Sequence, residues 1–353
     1  MERHRRSHRQ RGGIGRSAAI ALCVAGSLLL CAHAGGEPLA QAALGRLARD
    51  GTFVARAMSL ELGLMPEDAT VFTPRTAAAA RHEDVDEPPA ESAYLPQAVP
   101  NDAPVLDAAD RAATVTVNND TSYAVDVAAC LAADTTIRAQ GEGPQVLLVH
   151  THGSESYTPD AAFPYVPTEN ERTTDPRYNV VRVGDELQRV LEQGGVQTVH
   201  IRELFDSPAY SGSYDRALAA IEQALAAHPT IRLVIDLHRD SILTDSGEAY
   251  KTACTIDGAQ VAQLMFVVGT DEGGLYHPNW RENLNYVAGL QYRLNRAYPG
   301  LMRPVNLRTQ RFNQHASPGS LLVEVGSSGN TMTEALAAIR LFGAELARDL
   351  TGA

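Results

Sequence analysis

Val146-Leu147-Leu148-Val149-His150-Thr151-His152-Gly153-Ser154-Glu155 is the stretch from which the rest of the chain is read. Its four leading apolar residues form a run of the length of a buried strand. The run opens directly into His150, His152 and Glu155, three metal-ligand types within six residues. Two later segments share the layout. Leu233-Val234-Ile235-Asp236-Leu237-His238 ends an apolar run on His238, and Leu321-Leu322-Val323-Glu324 ends another on Glu324. Apolar strands that finish on His, His and Glu are how an α/β sheet lines a metal site at its carboxyl edge, so these residues point to a zinc hydrolase.

The wider pattern agrees with a sheet of that kind. Strands are expected at 145–150, 196–201, 231–237, 262–268, 303–307 and 320–325. Helices are expected at 180–193, 213–227, 281–297 and 331–350, the last opening on the cap-like Thr331-Met332-Thr333-Glu334. Such alternation predicts an α/β fold, a layered and mostly parallel (mixed) sheet flanked by helices. The catalytic domain is expected to span 113–353. Within it, Ala113-Thr114-Val115-Thr116-Val117 reads as an extra edge strand and 124–133 as a brief helix.

Before that domain the composition changes twice. Met1 to Arg16 carry six Arg and one Glu, and an uncharged, largely apolar run follows to Ala34. This is either a cleaved signal peptide or a membrane anchor over residues 1–34, and in both cases the bulk of the chain is exported. Residues 35–112 then read as a tether, with helical spacing at Leu44, Leu47, Val54, Met58 and Leu62. From Met65 on the tether is rich in Ala, Pro, Asp and Glu, without a sustained period. The whole chain has a formal charge of −12 and, without its first 34 residues, about −17. A surface that acidic argues against nucleic acid as a partner. Cys130 and Cys254, the two cysteines beyond the apolar run, are either a disulfide or two buried thiols.

Each chemical candidate has a plainer reading beside it. His152 and Glu155 form an H-x-x-E pair that can face one zinc ion, although the pair is common by chance. His150 lies on the same side of an extended strand and is a rival ligand. His238 is the third ligand candidate. Asp236, two residues before it, can accept the second ring N–H of His238 and fix its tautomer, or the two are simply a satisfied polar pair. Glu324, inside an apolar strand, is either a general base or the partner of an arginine. Gly269-Thr270-Asp271-Glu272-Gly273-Gly274 is read as an active-site loop, and its acids speak against phosphate. His277-Pro278-Asn279-Trp280 is read as a cleft wall, with Trp280 as an apolar platform. Phe312-Asn313-Gln314-His315 is read as facing the same cleft. His200 shows no partner and is read as structural. The chain has no G-x-S-x-G nucleophile elbow.

Taken together, several segments resemble the stage II sporulation protein P family. They are His150-Thr151-His152-Gly153-Ser154-Glu155-Ser156-Tyr157, Tyr178-Asn179-Val180-Val181-Arg182-Val183-Gly184, Asp236-Leu237-His238-Arg239-Asp240, Asn279-Trp280-Arg281-Glu282-Asn283-Leu284 and Leu322-Val323-Glu324-Val325-Gly326-Ser327-Ser328-Gly329-Asn330-Thr331. The resemblance covers about residues 113–350. It implies a zinc N-acetylmuramoyl-L-alanine amidase fold and a peptidoglycan hydrolase with added endopeptidase activity. It also implies work beside a lytic transglycosylase, stage II sporulation protein D, in septal thinning and engulfment during endospore formation. The catalytic domain would then lie outside the cytoplasmic membrane, in the space between mother cell and forespore, held through the N-terminal segment.

By the resemblance, His152 and His238 match ligand positions and Glu324 the catalytic acid/base. Glu155 is assigned as the second ligand because the start of the helix near Val180 offers no Glu. Arg239 is expected to help stabilise the oxyanion. Asn279, Trp280, Asn283 and Asn313 are expected to contact substrate. The competing readings are a zinc carboxypeptidase acting on stem peptides, which needs an arginine clamp for a terminal carboxylate, and a non-catalytic peptidoglycan-binding module.

Overall fold

The computed structural model describes residues 106–352 apart from 136, 140, 169 and 170. The N-terminal segment and nearly all of the tether therefore lie outside the described residues, as does the short helix expected between residues 41 and 64. Among the described residues no helix is long and apolar enough to cross a membrane.

Two short helices, α1 (Ala108–Ala113) and α2 (Val127–Ala132), bracket strand β1 (Val117–Asn119). The strand begins where 113–117 was expected to end, because Asp107 caps α1 through the Asp110 N–H and draws the preceding residues into a helical turn. The main sequence follows: β2 (Val146–Val149), α3 (Val180–Gln193), β3 (Thr198–His200), α4 (Ser213–Ala227) and β4 (Leu233–Asp240). After these come β5 (Ala253–Ile256), β6 (Ala259–Ala262), β7 (Leu264–Gly269), α5 (Trp280–Ala297), β8 (Val305–Arg308), β9 (Ser320–Ser327) and α6 (Met332–Thr351). The expected capping of α6 is a full capping box between Thr331 and Glu334.

Seven strands form one sheet in the order β1-β8-β7-β9-β4-β2-β3. All neighbours are parallel except β7 and β9. The fold is thus the expected layered α/β sheet, with one antiparallel seam. That seam reverses the direction of β7, β8 and β1 relative to the other four strands. Strands β5 and β6 make a separate hairpin around Asp257-Gly258, both at positive φ. The sequence carried that turn signal, but the flanking residues are too weakly apolar to stand out as strands.

The strands alternate between two environments. Leu148, Leu237, Phe266, Leu307 and Val323 face the larger core, which is closed by α3, α5 and α6. Leu147, Val149 and Val234 face the other way, onto α4. On that second side α4 covers only the β2–β4 region. Met265, Val267 and Leu322 form a small separate cluster with Phe312 at its margin. Helix α3 packs so close to the ends of β2 and β3 that a Cβ on Gly184 would stand 2.6 Å from His150 Nε2 and 2.7 Å from His200. Only glycine fits there. Cys130 and Cys254 are free, half-buried thiols.

Candidate metal centre

The turn after β2 brings His152 and Glu155 together: the Glu155 N–H donates to the His152 carbonyl at 3.1 Å. The Glu155 carbonyl accepts from Val180 N–H at 2.9 Å, so this glutamate is docked at the start of α3 although the helix itself supplies none there. Its carboxylate is buried. Oε2 accepts the Arg239 backbone N–H at 3.1 Å and lies 3.4 Å from His238 Nδ1, while Arg172 approaches Oε1 at 3.4 Å. Burial alone would raise the Glu155 pKa, but the bond and charge of His238, with Arg239, bring it down to about 2.

His238 and Asp236 share one face of β4. His238 Nε2 lies 3.0 Å from Asp236 Oδ1, a charge contact off the ring N–H axis that leaves the nitrogen without a linear hydrogen bond. Asp236 also accepts the Thr151 N–H at 2.8 Å and its hydroxyl at 2.6 Å, so β2 and β4 hold it jointly. Burial would lower the His238 pKa, yet the carboxylates of Asp236 and Glu155 raise it well above the usual imidazole value. His152 is stacked on Tyr210, with ring centroids 4.5 Å apart, and is edge-on to His238 at 5.3 Å and to Tyr214 at 5.4 Å. Its nitrogens meet the Tyr210 hydroxyl at 3.1 Å and the Ser213 hydroxyl at 3.3 Å. Burial and the neighbouring His238 charge lower it to about 4.

Glu324 is the register partner of His238 across β4 and β9. Its Oε2 is buried without a hydrogen-bond partner. Burial first, and then the Glu155 and Asp240 charges, push its pKa up to about 8. His152, Glu155, His238 and Glu324 all line one cavity of about 620 Å³. Its floor is the part of the sheet that α4 leaves bare.

The donors are of the nitrogen and oxygen types that zinc takes, and three of them meet on one cavity wall. Among the described residues no set of three His, Cys, Asp or Glu is spaced about a common point as it stands. The reason is visible: Glu155 and His238 are turned onto each other, and Tyr210 and Ser213 meet the nitrogens of His152. The donor set therefore fits zinc by residue type, and taking up a cation would require Glu155 and His238 to part.

Other expected site residues lie elsewhere. His150 points to the opposite side of the sheet. Its Nε2 lies 2.7 Å from His200 Nε2 and its Nδ1 3.2 Å from the Leu237 carbonyl, so it is a buried strand-end histidine and not a rival ligand. The extended geometry that would align it with His152 ends at Val149. His200 does have partners, His150 and Asp185, the latter at 3.2 Å. Arg239 lines the cavity, but its guanidinium is committed to the carbonyls of Ser156 at 2.9 Å and Glu171 at 2.7 Å. Through these bonds it positions the loop that carries Glu155.

Asn279, Trp280 and Asn283 are also displaced from the site. Because β7 runs antiparallel to β9, the loop after Gly269 leaves at the edge opposite Glu324. Trp280 stacks on Tyr123 at 4.9 Å, and Asn283 donates to the Gln314 carbonyl at 3.2 Å and accepts from Ser320 N–H at 3.4 Å, at the start of β9. Asn313 donates to the Tyr214 carbonyl at 2.8 Å and anchors the loop to α4, while its neighbour Phe312 lines the cavity. Sequence reasoning missed Arg172, Tyr210 and Tyr214. They come from loops and a helix start with no telling spacing, and only the folded chain brings them to His152.

The sequence model described as stage II sporulation protein P matches residues 67–347. Stage II sporulation protein P of Bacillus subtilis (strain 168) is 29% identical over 205 residues. That region is 55% of this chain and 48% of the relative, so the chain spans about half the length of the curated relative it matches. Solved structures with similarity include three amidases. N-acetylmuramoyl-L-alanine amidase AmiC2 of Nostoc punctiforme has 16% identity and TM-score 0.33, covering 60% of this chain and 97% of that one. Ami1 from Mycobacterium smegmatis has 15% identity and TM-score 0.35, covering 60% and 96%. The CwlD amidase from Clostridioides difficile, in complex with the GerS lipoprotein, has 12% identity and TM-score 0.32, covering 58% and 95%.

Proposed function

This chain belongs to the stage II sporulation protein P family, and from that premise we propose that it is a zinc-dependent peptidoglycan hydrolase. It cleaves the amide between the lactyl group of muramic acid and L-Ala, and cross-linked stem peptides in addition. The observation that carries this reading is the convergence of His152, Glu155, His238 and Glu324, from three separate strand ends, on one cavity wall.

His152, Glu155 and His238 would hold a zinc ion, which would supply Lewis acidity at the scissile amide. Glu324 takes a proton from the attacking water and returns it to the departing L-Ala nitrogen. Burial raises the Glu324 pKa to about 8, which suits the return of a proton to the leaving nitrogen. Asp236, fastened by Thr151, sets the ring of His238. The Arg239 N–H and Arg172 hold the carboxylate of Glu155 toward the cavity. The stacked ring of Tyr210 fixes the plane of His152.

The proposed setting is outside the cytoplasmic membrane, with residues 1–34 as signal or anchor and 35–112 as tether. There the enzyme acts with the lytic transglycosylase, stage II sporulation protein D, in septal thinning and engulfment. Elemental analysis of the purified chain and mass spectrometry of digested sacculi test the chemistry. Stoichiometric zinc and release of peptides that begin at L-Ala, lost in chelator and restored by zinc, are expected. Digestion undiminished in chelator would overturn the reading, and trimming of free peptide ends alone would favour the carboxypeptidase.

A further inference from the structure

The cavity continues past the catalytic cluster, across the bare side of the sheet. Its floor there is Leu322 on β9, Met265 and Val267 on β7, and Asn306 and Arg308 on β8. The register places these residues in order: Glu324 pairs with Met265, Leu322 with Val267, and Val267 with Asn306. With about 4.8 Å between neighbouring strands, β8 lies about 10 Å to the side of β9, and Arg308 lies two residues beyond Asn306 along its strand. A guanidinium and a side-chain amide thus share one face of β8, at the far end of an apolar strip that starts beneath Glu324.

The arginines of this cavity differ in how far they are committed. Arg172 is held by Asp206 at 2.6 Å, Arg303 by Asp240 at 2.8 Å, and Arg239 by backbone carbonyls. Among the described residues Arg308 has only Asp120, at 3.3 Å, with side-chain exposures of 41% and 55%. A pair of that kind holds its partners weakly. The Asn306 side chain makes no hydrogen bond to any described residue. A planar guanidinium with an amide beside it is complementary to a carboxylate.

This bears on which way a substrate lies, and it rests on the amidase reading above. On the glycan side of the scissile bond the sugar hydroxyls and acetamido groups are neutral, whereas the stem peptide on the amine side carries free carboxylates. We propose that Arg308 and Asn306 form a carboxylate subsite that draws the stem peptide across β9 and β7 and leaves the glycan to the arm beside Tyr210. The structure thus offers a carboxylate-binding arginine that spacing along the chain could not locate.

Calorimetric titration of a stem tetrapeptide into the zinc-loaded full chain carrying Glu324→Gln tests this apart from turnover. Amidating the carboxylates of the peptide, or adding Arg308→Met, is expected to weaken binding about tenfold, with the two changes together costing no more than either alone. Arg308→Lys should recover part of the loss, and Asp120→Ala, which frees Arg308, should tighten binding about twofold. Equal binding of free and amidated peptides, or full affinity in a folded Arg308→Met variant, overturns the subsite, as does absence of binding to the parent. If the pattern holds while the unmutated enzyme releases no peptide beginning at L-Ala, the subsite stands and the amidase reading falls.

Discussion

The two sides of the central sheet are made by the same strands and serve different ends. One side is sealed by α3, α5 and α6 over Leu148, Leu237, Phe266 and Val323. The other is covered by α4 over β2–β4 only and lies open over β9, β7 and β8. Neighbouring residues are divided between them: Leu237 lies in the core and His238 at the site, Val323 in the core and Glu324 at the site. A period of two lets one strand stabilise the fold with every second residue and present chemistry with the others. The costly groups, a buried carboxylate with an unpartnered oxygen and a charged histidine between two acids, all stand on the open side. There water or a ligand can reach them.

This division can be tested by perturbing each side in turn. The largest effect expected is from Glu324→Gln, which keeps the shape of the open side and removes the proposed proton carrier. Turnover should fall about a thousandfold with zinc content and melting temperature unchanged. A variant that keeps near-normal turnover would remove Glu324 from the chemistry.

Phe266→Ala strikes the sealed side, where the ring lies 6.1 Å from that of Phe342 in a fully buried setting. Chemical denaturation should show a loss of about 3 kcal/mol, since close-packed neighbours cannot fill the space.

Glu186 ties two of the sealing helices together, α3 to α6, through Arg340 at 2.7 Å, and also pairs with Arg189 at 2.6 Å. Burial alone would raise its pKa, but those bonds bring it from 4.5 to about 2. Its contribution is therefore complete above pH 4.5 and is lost as pH falls from there toward 2, worth on the order of 2 kcal/mol after solvent screening. Glu186→Gln should flatten that part of the stability–pH curve, and an unchanged curve would show the pair to be idle.

Met265→Ala, one residue from Phe266 but lining the cavity, should cost about 2 kcal/mol, less than Phe266→Ala, because one flank of the side chain faces the cavity. A loss as large as that of Phe266→Ala would mean that the two sides are packed alike.

Much of the fold was legible in the sequence. Helices α3 and α4 run over 180–193 and 213–227 as their spacing predicts, and six of the sheet's strands fall where short apolar runs stand. Four residues that line the cavity also stood out in the sequence, His238 and Glu324 because a polar group in an apolar strand has a desolvation cost that calls for a reason, and His152 and Glu155 by their spacing. The rest was not. Arg239 reads as a catalytic cation until its guanidinium is seen to bond backbone carbonyls. Asn283 reads as a substrate contact until it is seen at the start of β9.

The sequence by itself determined what depends on near neighbours: which segments are strand or helix, which residues alternate to opposite sides, and which ligand types close each strand. The tertiary structure decided the rest. It reversed β7, which carried the Gly269–Trp280 loop to the edge opposite Glu324. It turned His150 toward His200 and set Tyr210 and Tyr214 against His152. The physical reason is range. Periodicity and capping act over a few residues, whereas strand direction, the side a turn residue faces and the partner an arginine takes depend on packing between segments tens to hundreds of residues apart.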